Sequence, residues 1–125
     1  RKSTLTAKER EIINLVVSEV NECEYCLAAH TGLSKIRGFS DAQILEIRSG
    51  KADFDKKFDA LAQFVKEVTI TRGHPSGQLT DTLLEAGYTE ANVIDIMIVI
   101  GDKTISNYLY GFAGFAIDFP KVAGL

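Results

Sequence analysis

Cys23, Cys26 and His30 are the residues of this chain whose types and spacing point to chemistry. The two thiols stand three positions apart and are the only cysteines present. If the segment is helical, at about 100° per residue, positions 23, 26 and 30 fall at about 0°, −60° and −20°, a narrow stripe on which the three side chains can meet. A Cys-x-x-Cys turn holds two sulfurs close enough to pass between dithiol and disulfide. Free amides at a helix start favour thiolate at the first cysteine, and an imidazole one turn beyond the second can take or supply a proton. Dithiol redox chemistry is therefore the leading expectation. Glu22 and Glu24 oppose it, because negative charge beside a thiol disfavours thiolate unless the carboxylates point to solvent.

The same residues allow other readings. A structural zinc site wants about four ligands, and Cys23, Cys26 and His30 leave one missing, with His74 the only other histidine. No metal is expected. A c-type haem attachment needs histidine directly after the second cysteine, where Leu27 stands. Two buried cysteines without chemistry remain the plain alternative. A bridge across two intervening residues closes too small a loop to restrain an unfolded chain, so a purely structural disulfide is a poor reading.

The elements that must position the stripe are helices. Thr6-Ala7-Lys8-Glu9 reads as a capping box, opening a helix with Ile12, Ile13, Val16, Val17 and Val20 on one face, and Asn21 ends it or caps the next. A second helix runs from Cys23 to about Ile36 and closes near Gly38. Ser40-Asp41-Ala42-Gln43 caps a short third helix stopped at Gly50, and Asp55 to Thr71 forms a fourth with Phe58, Leu61, Ala62, Phe64, Val65 and Val68. After the break at Gly73 to Gly77 come a short helix from about Leu79 to Ala86 and a long apolar one, capped by Thr89 and running to roughly Ala116. The fold class is all-α with about six helices and the Cys pair at the start of the second. The last helix reads as a buried central one, its Gly101, Gly111 and Gly114 permitting close approach or a kink. Ile94, Ile96, Met97, Ile98, Val99, Ile100 and Ile105 surround almost its whole circumference, more than one small domain can cover, so oligomerisation through helix faces is expected.

Composition bounds the rest. Residues 1–125 are one domain's worth of chain, large enough for a core without staples. With 14 Lys+Arg against 17 Asp+Glu the net charge is −3, which gives no basic footprint for nucleic acid or an anionic membrane. The richest apolar run, Val93 to Ile100, is broken by Asp95 and is too short to span a bilayer. No secretory signal pattern is visible, and the sparse cysteines suit a reducing cytosol; the reading is cytoplasmic.

The run Glu9 to Thr31, with Glu11, eleven intervening residues and then Cys-x-x-Cys-x-x-x-His, resembles the alkylhydroperoxidase D (AhpD)-like branch of the carboxymuconolactone decarboxylase superfamily. The similarity extends through Phe39-Ser40-Asp41, Ala86-Gly87-Tyr88-Thr89 and Ser106-Asn107-Tyr108. It implies an all-helical protomer of a trimer or hexamer and a thiol peroxidase in which Glu11, His30 and an ordered water relay protons. By the same resemblance Cys26 attacks the peroxide, Cys23 resolves the sulfenic acid into a redox-active disulfide, and an external lipoamide-like or thioredoxin-like dithiol restores the thiols; no bound cofactor is implied. Helix-start electrostatics alone would instead favour Cys23 as the thiolate.

Two positions depart from the pattern. Tyr25 stands where AhpD proper carries a histidine before the second cysteine, and Gly111 stands where many relatives carry a histidine four residues after Asn107. Tyr25 and Asn107 are pocket-lining candidates, Asn107 alternatively a buried polar residue. Tyr108, Tyr110, Phe112, Phe115 and Phe119 read as core or subunit contact, one of them able to roof the thiols, and His74 as a loop residue. The competing functions are a redox sensor or chaperone-like oligomer whose disulfide alters assembly, and a carboxymuconolactone-type decarboxylase, for which the thiol pair would be unexplained.

Overall fold

Thr6 opens the first helix in the computed structural model, which describes residues 2–114 and 122–125. The Thr6 hydroxyl accepts from the Glu9 amide and the Glu9 carboxylate accepts from the Thr6 amide, the reciprocal box that satisfies two otherwise orphaned donors. The chain continues as α1 (Ala7–Val20), α2 (Glu24–Ile36), α3 (Asp41–Arg48), α4 (Lys56–Thr71), α5 (Gly77–Glu85) and α6 (Glu90–Ala113). No strand occurs among the described residues. Ser40 with Gln43 and Thr89 with Asn92 form two further capping boxes, and Asp55 caps α4 through the amides of Lys57 and Phe58. None of the described helices is long and apolar enough to cross a membrane.

α1 is the central helix. It packs against α2, α3, α4 and α6, while α5 lies on α4. Leu15 and Ser18 are buried along with Ile12, Ile13, Val16 and Val17, whereas Val20 is only half-buried. The expectation of a buried central last helix is thus corrected: α6 buries Ile96, Ile100, Asp95 and Asn107 toward α1 and leaves Ile94, Ile98, Ile105, Tyr108, Leu109 and Phe112 exposed. Among the described helices it is α1 that has the most neighbours, while α6 packs on it along one stripe. A Cβ on Gly101 or Gly111 would meet nothing within 4 Å among the described residues, so there these glycines serve no close approach.

Two boundaries differ from expectation. Ser76 caps α5, which begins at Gly77, two residues before Leu79. Gly114 lies beyond the last helix in the left-handed region at φ 63°, where it ends α6 as a cap. Asn21 ends α1, the first of the two roles expected of it, and Cys23 caps α2. Phe115, Phe119 and the expected end of the helix at Ala116 lie outside the described residues, as does Arg1.

α1 and α6 run parallel, in a register fixed by polar pins at both ends. Asp95 Oδ2 accepts from the Thr4 amide and hydroxyl, each at 2.7 Å, and Asn92 Nδ2 donates to Thr4 Oγ1 at 2.8 Å. At the other end Asn107 Nδ2 donates to Ser18 Oγ at 3.2 Å and Asn107 Oδ1 accepts from Asn21 Nδ2 at 3.0 Å.

Candidate active site

The turn between α1 and α2 delivers the first cysteine to the start of a helix. Glu22 takes a left-handed φ of 56°, and the Cys23 amide reaches back to the Ser18 carbonyl at 3.0 Å, the bond that closes a Schellman motif. Cys23 therefore leaves the end of α1 and becomes at once the N-cap of α2. Its sulfur accepts from the Cys26 amide at 3.3 Å, as a serine or aspartate oxygen does at an ordinary cap. The turn also sends the Glu22 and Glu24 side chains to the surface, where water screens them from the sulfurs.

Cys23 and Cys26 are joined in a disulfide, with their Cα atoms 5.3 Å apart. Cys26 is the more enclosed, 1% exposed against 6% for Cys23. One turn along α2, His30 is buried with Nδ1 2.6 Å from Glu11 Oε1. Glu11 projects from the middle of α1, and its other oxygen makes a long 3.5 Å contact with Asn14 Nδ2. The residues chosen for spacing and resemblance are thus brought together by α1 and α2: an imidazole oriented by a carboxylate on one side, with the Cys26 side of the disulfide one helical turn away. Such an arrangement can hold the imidazole in one tautomer and one orientation.

Of the weaker candidates, Tyr25 stacks against Tyr110 of α6, ring centroids 4.5 Å apart at 35°. Asn107 is buried with both ends of its amide bonded to α1, which makes it the pin between two helices. His74 sits in the exposed loop after α4 with Nδ1 3.0 Å from the Thr71 carbonyl, on no path to the thiols.

Lys103 belongs to this neighbourhood and was not singled out by the sequence. Burial pushes its ammonium below the ordinary lysine range, and the nearby Glu11 and Asp102 carboxylates pull it back up. The signal was available: Lys103 continues the spacing of Ile96 and Ile100 on the stripe of α6 that faces α1.

With this geometry in place, comparison with known proteins gives a consistent family assignment. The sequence profile of the carboxymuconolactone decarboxylase family matches residues 1–67. A comparison with curated proteins finds no match. Among solved structures, a candidate AhpD antioxidant-defence protein of unknown function from Agrobacterium tumefaciens superposes with a TM-score of 0.78 at 23% identity, over 95% of this chain and 82% of that one. The AhpD core of an uncharacterized peroxidase-related protein from Ralstonia eutropha gives 0.78 at 23% identity, over 98% and 63%. The debrominase Bmp8, bound to 2,3,4-tribromopyrrole, gives 0.77 at 16% identity, over 91% and 62%. These likenesses establish the shared fold, and the chain spans less than two thirds of the last two proteins.

Proposed function

Because the chain belongs to the carboxymuconolactone decarboxylase family, in its AhpD-like branch, we propose that it is a thiol-dependent peroxidase built on Cys23, Cys26, His30 and Glu11. The observation that carries this reading is the Cys23–Cys26 pair beside an imidazole held by a carboxylate at 2.6 Å. The disulfide is the oxidised end of the cycle. In the reduced protein, Cys26 thiolate attacks the terminal peroxide oxygen and the O–O bond breaks. Cys26 becomes a sulfenic acid, and the departing alkoxide takes a proton from the His30 imidazolium. Cys23 then attacks the Cys26 sulfur and gives its proton to the departing hydroxide by way of the relay. One peroxide and two thiols thereby become one alcohol, one water and the disulfide. An external dithiol, lipoamide-like or thioredoxin-like, reduces the disulfide by exchange and leaves as a disulfide itself.

The test is peroxide consumption driven by dihydrolipoamide or thioredoxin. It should be seen with the wild-type protein and vanish in Cys26→Ser; equal rates in the two proteins would overturn the reading. The same reading places the protein in the cytoplasm, where dithiol donors are kept reduced. It also assembles copies, as a trimer or hexamer, through the exposed apolar side of α6.

The Tyr25–Tyr110 contact favours a second reading, a redox sensor in which the disulfide alters assembly. Tyr25 lies between the cysteines and touches the helix whose outer side is apolar. Identical oligomer mass and thermal stability for reduced and oxidised protein would remove its basis.

A further inference from the structure

α2, α3 and the C-terminal segment at Val122 enclose a cavity of about 230 Å³, which is lined by none of Glu11, Cys23, Cys26 and His30. Arg48 of α3 forms part of its wall, with 3% of its side chain exposed. Glu19 of α1 holds this guanidinium along one edge: Nε donates to Glu19 Oε1 at 2.9 Å, and Nη2 lies 2.8 Å from the same oxygen. A guanidinium carries its N–H donors in a rigid fork, and these contacts occupy the edge that joins Nε to Nη2. The other edge, Nη1 with the second Nη2 hydrogen, has no hydrogen-bond partner among the described residues. Thr31 of α2 also lines the cavity, and its hydroxyl is enclosed and likewise without a partner among the described residues. Buried donors are nearly always bonded, so a wall that carries both of these is built to receive an acceptor.

The geometry points to a binding site for a small monocarboxylate, its carboxylate on the open edge of the Arg48 fork and the Thr31 hydroxyl, its carbon chain against the apolar wall. A planar guanidinium edge matches the two oxygens of a carboxylate, which the point charge of a lysine does not. Ile44 and Leu45 of α3, with Val122, supply the apolar wall. At the mouth Lys35 and Asp41 pair with each other at 2.9 Å and are exposed, so Asp41 is neutralised where the anion enters and the flexible Lys35 can turn toward it. Glu19 already offsets the Arg48 charge from the α1 side, so the site suits one negative charge rather than the two of a dicarboxylate or phosphate. The volume of about 230 Å³ falls below the roughly 300–1,000 Å³ of pockets that hold drug-sized ligands, which limits the ligand to a short-chain or single-ring acid. The site uses none of the residues of the proposed peroxidase cycle and stands independently of it.

The experiment titrates the full chain with isovalerate and follows the backbone amide signals by NMR, with isovaleramide as the uncharged control and inorganic phosphate as the doubly charged one. Isovalerate should shift the amides of Thr31, Ile44 and Leu45 in a saturable way, and both controls should bind about 10-fold or more weakly. Thr31→Val removes the hydroxyl at nearly constant volume and should weaken isovalerate binding about 10-fold. The thermal midpoint of the ligand-free variant should be unchanged or higher, because the hydroxyl has no partner to lose. Arg48→Lys keeps a charge for Glu19 but lacks the fork, and it should weaken binding by about 10-fold or more. Should Arg48→Lys fail to fold, Thr31→Val carries the test alone. Equal binding of isovalerate and isovaleramide, undiminished binding in either folded variant, shifts confined to the residues around the thiols, or no saturable shift at all would overturn the site.

Discussion

His30 Nδ1 and Glu11 Oε1 lie 2.6 Å apart although 19 positions separate them in the chain, and the contact joins α1 to α2 at a buried imidazole. Replacing Glu11 by Gln keeps an acceptor near Nδ1 but removes the carboxylate from the proposed relay. Peroxide turnover should fall about 10-fold or more, with the helical circular-dichroism spectrum unchanged. An undiminished rate would show that the carboxylate plays no part in proton transfer.

The two cysteines should fail differently. If Cys26 attacks, Cys23→Ser still reacts once with peroxide, leaving a sulfenic acid trappable by dimedone, whereas Cys26→Ser leaves none. Intact mass after stoichiometric peroxide reads the difference. The reverse pattern would assign the attack to Cys23, the sulfur that accepts the Cys26 amide at the helix start.

Asn107 should matter to stability more than to chemistry. In Asn107→Ala the Asn21 amide and the Ser18 hydroxyl both lose their partner across the α1–α6 contact. A loss of about 1–3 kcal/mol is expected from the urea midpoint. A loss below a few tenths would mean that the pin is dispensable.

Burial of the Lys103 ammonium has a pH signature. Its folded value lies below its unfolded one, so between the two the unfolded chain binds more protons and stability rises with pH. The stability that Lys103→Met gains by removing this cost should shrink as pH climbs through the lysine range toward about 10.5 and be fullest near neutrality. Thermal midpoints of both proteins at a series of pH values check the sign.

The outer side of α6 supplies the last prediction. Phe112 is 92% exposed, and Ile105 stands one heptad earlier on the same side. In Ile105→Glu and Phe112→Glu the oligomer mass, read by light scattering, should drop toward that of the 125-residue protomer. An unchanged mass would place assembly elsewhere.

What the sequence disclosed about this fold was mostly what is local. Thr6 with Glu9 and Ser40 with Gln43 announce their helices because a capping box is completed within four residues. The start of α5 was missed because Gly77 and Gln78 looked like the tail of a turn, although Ser76 carries the capping hydroxyl. The centrality of α1 was hidden by Ser18, a polar residue whose burial is stabilised by Asn107 from the far end of the chain. The cysteines and His30 share a stripe that helical spacing alone reveals. Glu11 reaches them only through tertiary packing, and it was legible only through the family pattern. Lys103 carries no mark in the sequence, since nothing local tells a solvated lysine from a half-buried one.

The Cys23 sulfur caps α2 and is also one end of the disulfide that the proposed cycle opens and closes. Helix formation and thiol oxidation at this point are therefore a single coupled equilibrium. A thiolate accepts the Cys26 amide more strongly than a disulfide sulfur does, so the fold rewards reduction by tightening the first turn of α2. In the redox cycle proposed above, whatever the helix start contributes to holding a thiolate is subtracted from the stability of the disulfide.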